Sequence, residues 1–251
     1  MALEYLPFIF FFVALFYSSV GFGGGSSYLA ILSLLLTDFY EIRSTALVLN
    51  ACVVSIGTIM FIKNGVLKLK LVWPFFLFSI PMAYLGATVE LTQSTFFIIL
   101  GSALLLAGIF MVLKYIRTDL NSKELSKSVK FLLGGVIGFL SGVSGIGGGI
   151  FLSPTLNLLN WKNALVVASL ASVFILVNSI SGIIGLTVAG TFVINYDLVI
   201  NLIIAVVLGG LVGSYISNKK LDMRVIGILT AILILYVGLR LILIHGFDIQ
   251  I

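Results

Sequence analysis

Two short stretches carry the residue types best suited to holding a ligand. Residues 141–154 read SGVSGIGGGIFLSP and residues 21–27 read GFGGGSS, and with Gly145 laid on Gly21 the two glycine runs align at an offset of 124 positions. Glycine runs leave backbone N–H groups uncovered, tolerate positive φ, and let a ligand approach the main chain where a side chain would block it. An apolar run resumes directly after Gly25 and after Gly149. Each loop is therefore expected to present successive N–H groups and a helix N-terminus, worth roughly half a positive charge. That is chemistry for a small anion. The candidate contacts are Gly23, Gly24, Gly25, Ser26 and Ser27 in the first loop and Gly147, Gly148, Gly149 and Ile150 in the second. Close helix packing by small residues is the competing use of such glycines. Two interrupted segments at matched positions favour the binding role.

The medium around these loops follows from composition. Of 251 residues, 61% are hydrophobic and 9% charged, with a mean hydropathy of +1.26, whereas soluble domains carry about 25% charged residues. The chain reads as a multi-pass protein of the lipid bilayer. Lipid cannot satisfy open backbone groups, and no alternating barrel pattern is visible, so the fold class is all-α. The net charge of +5 resides in short loops rather than on a basic face, which argues against nucleic acid. Cys52 is the single cysteine and His245 the single histidine, too few for a disulfide framework, a metal cluster or an acid–base pair. No cofactor is implied, and nothing in the sequence sets an oligomeric state. Glu4 precedes the first apolar run and no Lys or Arg does, so a cleaved signal peptide is not expected.

Apolar runs fall at 5–20, 26–37, 42–62, 71–89, 95–116, 129–142, 149–160, 164–188, 197–217 and 225–245. Six are long enough to cross ~30 Å of hydrocarbon, and the four that flank the glycine loops are short. If each short pair is a re-entrant hairpin, each half of the chain has three full crossings. All 14 Lys and Arg residues except Arg43 and Arg240 then fall on one side, which the positive-inside rule makes cytoplasmic. Both termini are expected outside a plasma membrane. Glycine pairs 57/182, 65/190, 86/213 and 108/238 continue the offset with slow drift. Three crossings is an odd number, so the halves are expected to be inverted: 1–116, a cytoplasmic linker 117–128, and 129–251.

Polar residues inside long crossings need partners in lipid. Asn50, Ser169, Ser172 and Asn178 are expected to face the glycine loops or to bond between helices. Arg43 and Arg240 read as snorkelling or as drawing anions to an outer vestibule, and Lys162 as doing so from inside. Trp73 and Trp161 read as interfacial belt residues. No Asp, Glu, Lys or His lies in the middle of a long crossing, so a side-chain proton relay finds no support.

The stretch SGVSGIGGGIFLSPTL at 141–156 resembles the second-half signature of the TauE/SafE sulfite exporter family of anion permeases. The likeness extends through GFGGG, residues 46–65, ALVVASLASVF at 164–174 and NSISG at 178–182. It implies an inverted-repeat carrier of sulfite, sulfonates or related sulfur-containing organic anions working by alternating access. The first half departs from the pattern, with Ala30 where the second has Pro154, and Ser26-Ser27 where the second has Ile150-Phe151. An anion channel lined by the same loops is the alternative. A membrane-embedded enzyme is a third reading, for which the sequence offers no nucleophile–base pair.

Overall fold

The computed structural model describes residues 2–19, 23–67, 69–116, 124–216, 223–247 and 249, and these form helices and short connections. A 3-10 turn, Ala2–Tyr5, leads into α1 (Leu6–Ser19) and α2 (Gly25–Leu35). There follow α3 (Phe39–Lys63), α4 (Leu69–Thr88), α5 (Gln93–Ile116), α6 (Lys127–Ser144), α7 (Gly149–Leu158), α8 (Ala164–Val188), α9 (Tyr196–Ile216) and α10 (Met223–Phe247). Gly21 and Phe22 of the first loop, Lys68, most of the 117–128 linker, and Lys219 and Lys220 lie outside the described residues.

Each expected apolar run is a helix. One length differs: α6 has 18 residues and is among the six helices long and apolar enough to cross a membrane, where the apolar run alone looked short. Ser126 is the reason. Its Oγ accepts from the Val129 N–H at 3.3 Å, so the helix starts two residues earlier and takes Lys127 and Lys130 into its first turn. Asp38 and Asn163 cap α3 and α8 in the same way, accepting from Tyr40 and Val166 N–H groups at 2.9 Å.

α3 and α8 also end alike. Gly65 (φ +65°) and Gly190 (φ +70°) follow the two helices in the left-handed region. The Val66 N–H reaches back to Phe61 O and that of Thr191 to Leu186 O, while Gly65 and Gly190 donate to Ile62 O and Thr187 O. This six-to-one and five-to-two pairing is the Schellman stop. Nothing lies within 4 Å of a Cβ added at either glycine, so only backbone conformation requires glycine there. Gly65→Ala and Gly190→Ala are each expected to cost about 1 kcal/mol, read as equal small falls in melting temperature with ligand binding unchanged.

The helices pack as α1 on α9, α6 on α4, α5 on α10 and α3 on α8, with α8 also on α4 and α3 on α9. Register gives their directions. On α6, Gly134, Gly138 and Gly142 lie against Phe75, Ser79 and Ala83 of α4 in ascending order, so the two run the same way. Ser181 donates to Ile80 O at 2.6 Å, and Gly185 meets Tyr84 and Ala87, so α8 runs with α4 as well. By contrast Gly57 faces Ser172 and Gly182 faces Leu47, which makes α3 and α8 antiparallel. Since α6 and α8 share a direction, the chain between them must come back to the side it left.

Burial is arranged for lipid. Large apolar side chains such as Phe8, Leu132, Val188, Ile200 and Ile232 are exposed, whereas Ser27, Arg43, Asn50, Ser79, Ser141, Ser169, Asn178 and Ser179 are fully or almost fully buried. In a solvent that cannot hydrogen-bond, polar groups gain by turning inward.

Candidate functional site

Both glycine loops end in a residue that only glycine holds easily. Gly24 (φ +84°, ψ 3°) and Gly148 (φ +84°, ψ −15°) are the residues preceding α2 and α7, and neither helix start has a side-chain cap. Gly24 and Gly148 are 124 positions apart, as the sequence alignment requires. The first helical bonds are Tyr28 N–H to Gly24 O in α2 and Phe151 N–H to Gly148 O in α7. The N–H groups of Gly25, Ser26, Ser27, Gly149 and Ile150 therefore precede any intrahelical acceptor. All five residues are buried. Three other helices close their first turns with Asp38, Ser126 and Asn163, and these two do not.

Asn50, close to the midpoint of α3, brings the loops together. Its Nδ2 donates to Ile146 O of the second loop at 3.0 Å, which fixes the amide orientation because a carbonyl can only accept. A Cβ on Gly25 of the first loop would fall onto the same amide, and one on Gly23 would lie 2.7 Å from Asn50 Oδ1 and from Val54 Cγ1. A Cβ on Gly147 would lie 3.1 Å from Asn50 Nδ2, 3.2 Å from Ser179 Oγ and 2.8 Å from Ile175 Cγ2. Asn50 Oδ1 and Ser179 Oγ are buried with no partner. A buried polar atom left unpaired costs about 1–3 kcal/mol, and these two lie against the first loop's glycines and against Gly147.

The two half-sites differ. Ile175 stands 125 positions after Asn50 and blocks Gly149 as Asn50 blocks Gly25. Around the first loop are tyrosines: Tyr17 Oη and Ser27 Oγ are hydrogen-bonded at 2.7 Å, and the Tyr28 ring covers Gly24, its hydroxyl buried without a partner. Around the second, Gly148 meets Phe174 and Ser141. Neither Tyr28 nor Ser141 is among the residues singled out from sequence as ligand contacts, whereas Ser179 is one of the polar residues that the sequence places within a long crossing. Ser179 follows Ile175 by one helical turn, and that spacing was the available signal.

Other sequence candidates are placed elsewhere. Ser169 donates to Val166 O within its own helix at 2.8 Å. Ser172 lies 3.0 Å from Thr58 Oγ1 and donates to Val54 O at 3.3 Å, tying α8 to α3. Asn178 is wholly buried with both amide atoms unpaired, one turn beyond Phe174, which touches Gly148. Arg43 is 1% exposed rather than snorkelling. It donates to Gly86 O at 3.0 Å and Gly142 O at 2.5 Å, carbonyls in the last turns of α4 and α6 that lack intrahelical donors.

Lys162, expected as an anion lure, instead pairs with Glu124 of the linker, with Lys130 3.8 Å away from the same carboxylate. The hydrogen bond from Lys162 holds Glu124 below the usual carboxyl range. Trp161 is not a belt residue: it is fully buried, edge-on to Phe75 and beneath Lys130. Trp73 is exposed at the start of α4, as a belt residue would be.

The chain matches the family described as Sulfite exporter TauE/SafE over residues 6–241. A Sinorhizobium fredii (strain NBRC 101917 / NGR234) protein named Probable membrane transporter protein y4hK is 32% identical over 241 residues, covering 94% of this chain and 97% of that one. No solved structure matches. With a family match over nearly its whole length and a full-length relative named as a transporter, the chain belongs to the TauE/SafE sulfite exporter family of membrane transporters.

Proposed function

We propose that this protein is an anion carrier of the plasma membrane in which the two glycine loops form one site near mid-depth, opened alternately to each side. The observation that carries this reading is the pair of uncapped helix starts, α2 and α7, converging on Asn50 with their first N–H groups free. Two such ends and the unpaired Ser179 hydroxyl, which can donate, are suited to an oxyanion, which accepts from several N–H and O–H groups at once. The family name and the relative support a sulfur-containing anion such as sulfite or a sulfonate.

The inverted repeat, with halves 1–116 and 129–251 joined by the linker, supplies the mechanism. Its support is that packing recurs under exchange of halves: Gly86 on the Phe139 carbonyl matches Gly213 on the Leu15 carbonyl, and Gly57 on Ser172 matches Gly182 on Leu47. The common direction of α4, α6 and α8 favours a re-entrant α6–α7 hairpin. The loops after α3, α5, α7 and α9 hold or adjoin the basic residues, which supports a cytoplasmic linker and both termini outside. Rocking one half against the other would then expose the shared site in turn.

Proteoliposomes preloaded with sulfite or methanesulfonate and challenged with labelled substrate test this. Saturable counterflow is expected. Discrete single-channel currents carried by the same anions would replace the carrier with a channel.

A further inference from the structure

Arg43 has no counterpart in the other half of the chain, because Ala168 stands 125 positions later. It is a full charge buried to 1% exposure, and no carboxylate pairs with it among the described residues. Its side chain lies along the second glycine loop: a Cβ on Gly145 would come 2.8 Å from Arg43 Cγ. One guanidinium nitrogen bonds Gly86 O and Gly142 O, while the buried Nε has no acceptor. Arg43 and Asn50 are seven residues apart on α3, two turns along one face, and they hold consecutive parts of the same loop. Asn50 reaches Ile146 O.

The electrostatics give Arg43 a role that a helix cap alone does not require. At each loop the C-terminus of one helix is followed within a few residues by the N-terminus of the next, α1 by α2 and α6 by α7. Their half-charges are of opposite sign and nearly cancel beyond contact range. The loops orient donors but supply little net charge. Arg43 brings a full cation beside the second of them, and part of it is taken up by the α4 and α6 carbonyls.

Resting on the loop site proposed above, we infer that Arg43 is the fixed countercharge of that site, donating through Nε to the bound anion and restricting it to a single negative charge. A dianion would leave about one negative charge uncompensated in a low-dielectric setting, where charge is most costly. The site thus takes sulfonates and hydrogensulfite in preference to sulfate.

The test is ligand-induced thermal stabilisation of purified wild type, Arg43→Gln, Arg43→Lys and Gly148→Val. The probes are methanesulfonate, hydrogensulfite and acetate as monoanions and sulfate as the dianion, at matched ionic strength. Wild type is expected to be stabilised by a monoanion and little by sulfate. Arg43→Gln should weaken that binding roughly 10- to 100-fold, the worth of a hydrogen bond to a charged group. Arg43→Lys keeps the charge without the fork and should fall between; it also serves if the glutamine variant does not fold. A purely structural role lowers the melting temperature of the ligand-free variants and leaves the anion-induced shift as in wild type. That outcome in both Arg43 variants, with the shift lost in Gly148→Val, overturns the countercharge and leaves the loop site standing. A shift retained in Gly148→Val, or absent in wild type with every probe, overturns the loop site itself. Sulfate stabilising wild type as well as the monoanions refutes the single-charge restriction.

Discussion

Gly25→Ala is expected to abolish anion binding and to destabilise the protein by about 2–3 kcal/mol, and removing the Asn50 side chain is expected to restore much of the stability but none of the binding. The added methyl has no free volume: it falls on the Asn50 amide. Forcing an extra carbon into a packed interior costs about 1–3 kcal/mol. Displacing Asn50 also breaks its bond to Ile146 O, leaving that carbonyl and the amide buried and unpaired. Asn50→Ala alone loses the same bond but makes room. In the double variant the clash is gone, so the two changes should couple by about 1–3 kcal/mol, as contacting residues do. Additive losses in the four-protein cycle, measured by chemical or thermal unfolding in detergent, would show that Asn50 does not wedge the loops. The same logic at the second loop pairs Gly149→Ala with Ile175→Ala, because Ile175 holds the equivalent place. Relief there should restore both stability and binding more fully, since Ile175 brings no polar atom to the site.

That contrast between Asn50 and Ile175 marks where sequence reading ends. The ten α-helices among the described residues were legible because each is a largely apolar run, and Gly65 and Gly190 were legible as a repeat pair, which the structure shows to be two left-handed helix stops. The matching of Gly24 with Gly148 followed from offset alone, and their shared backbone conformation agrees with it. What stayed hidden depends on distant pairs. Asn50 meets a carbonyl 96 positions away, and Arg43 meets carbonyls 43 and 99 positions away. Nothing local distinguishes an arginine four residues into a membrane helix that reaches outward from one that turns in to cap two neighbours. Trp161 was misplaced for the same reason: its position beside Lys162 and Asn163 suggests an interface, and only the packing of α6 and α4 encloses it. The start of α6 differs for the opposite reason: Lys127 and Lys130 read as loop charges, whereas the Ser126 cap begins the helix before them.

The fold itself hangs on a stripe that the loop glycines overshadow. Gly138→Val is expected to prevent stable accumulation in the membrane, while Gly135→Ala, three residues earlier, is expected to be tolerated. Both glycines sit in α6, and Val and Ala are each better helix formers than Gly, so a loss of helix propensity explains neither outcome. A Cβ at Gly138 would stand 2.5 Å from Ser79 O and 2.6 Å from Ser79 Cα, which are backbone atoms that cannot swing aside. At Gly135 the nearest atoms are Phe78 Cβ at 3.5 Å and Met82 Cγ at 3.8 Å, ordinary van der Waals contact. Gly134 and Gly142 share the tight face, each against a carbonyl of α4. Between lipid-solvated helices there is no hydrophobic drive to compensate lost contact, so association depends on this close fit. A β-branched side chain at Gly138 must push α4 from α6 along much of their length, and more than about 3 kcal/mol of packing is at stake. α4 also carries Gly86, whose carbonyl accepts from Arg43, so the separation would pull on the proposed binding site as well. The comparison is read by quantifying membrane-extracted protein and its melting temperature for the two variants side by side. Equal yields for Gly138→Val and Gly135→Ala would mean that the α4–α6 face yields more readily than its backbone contacts require.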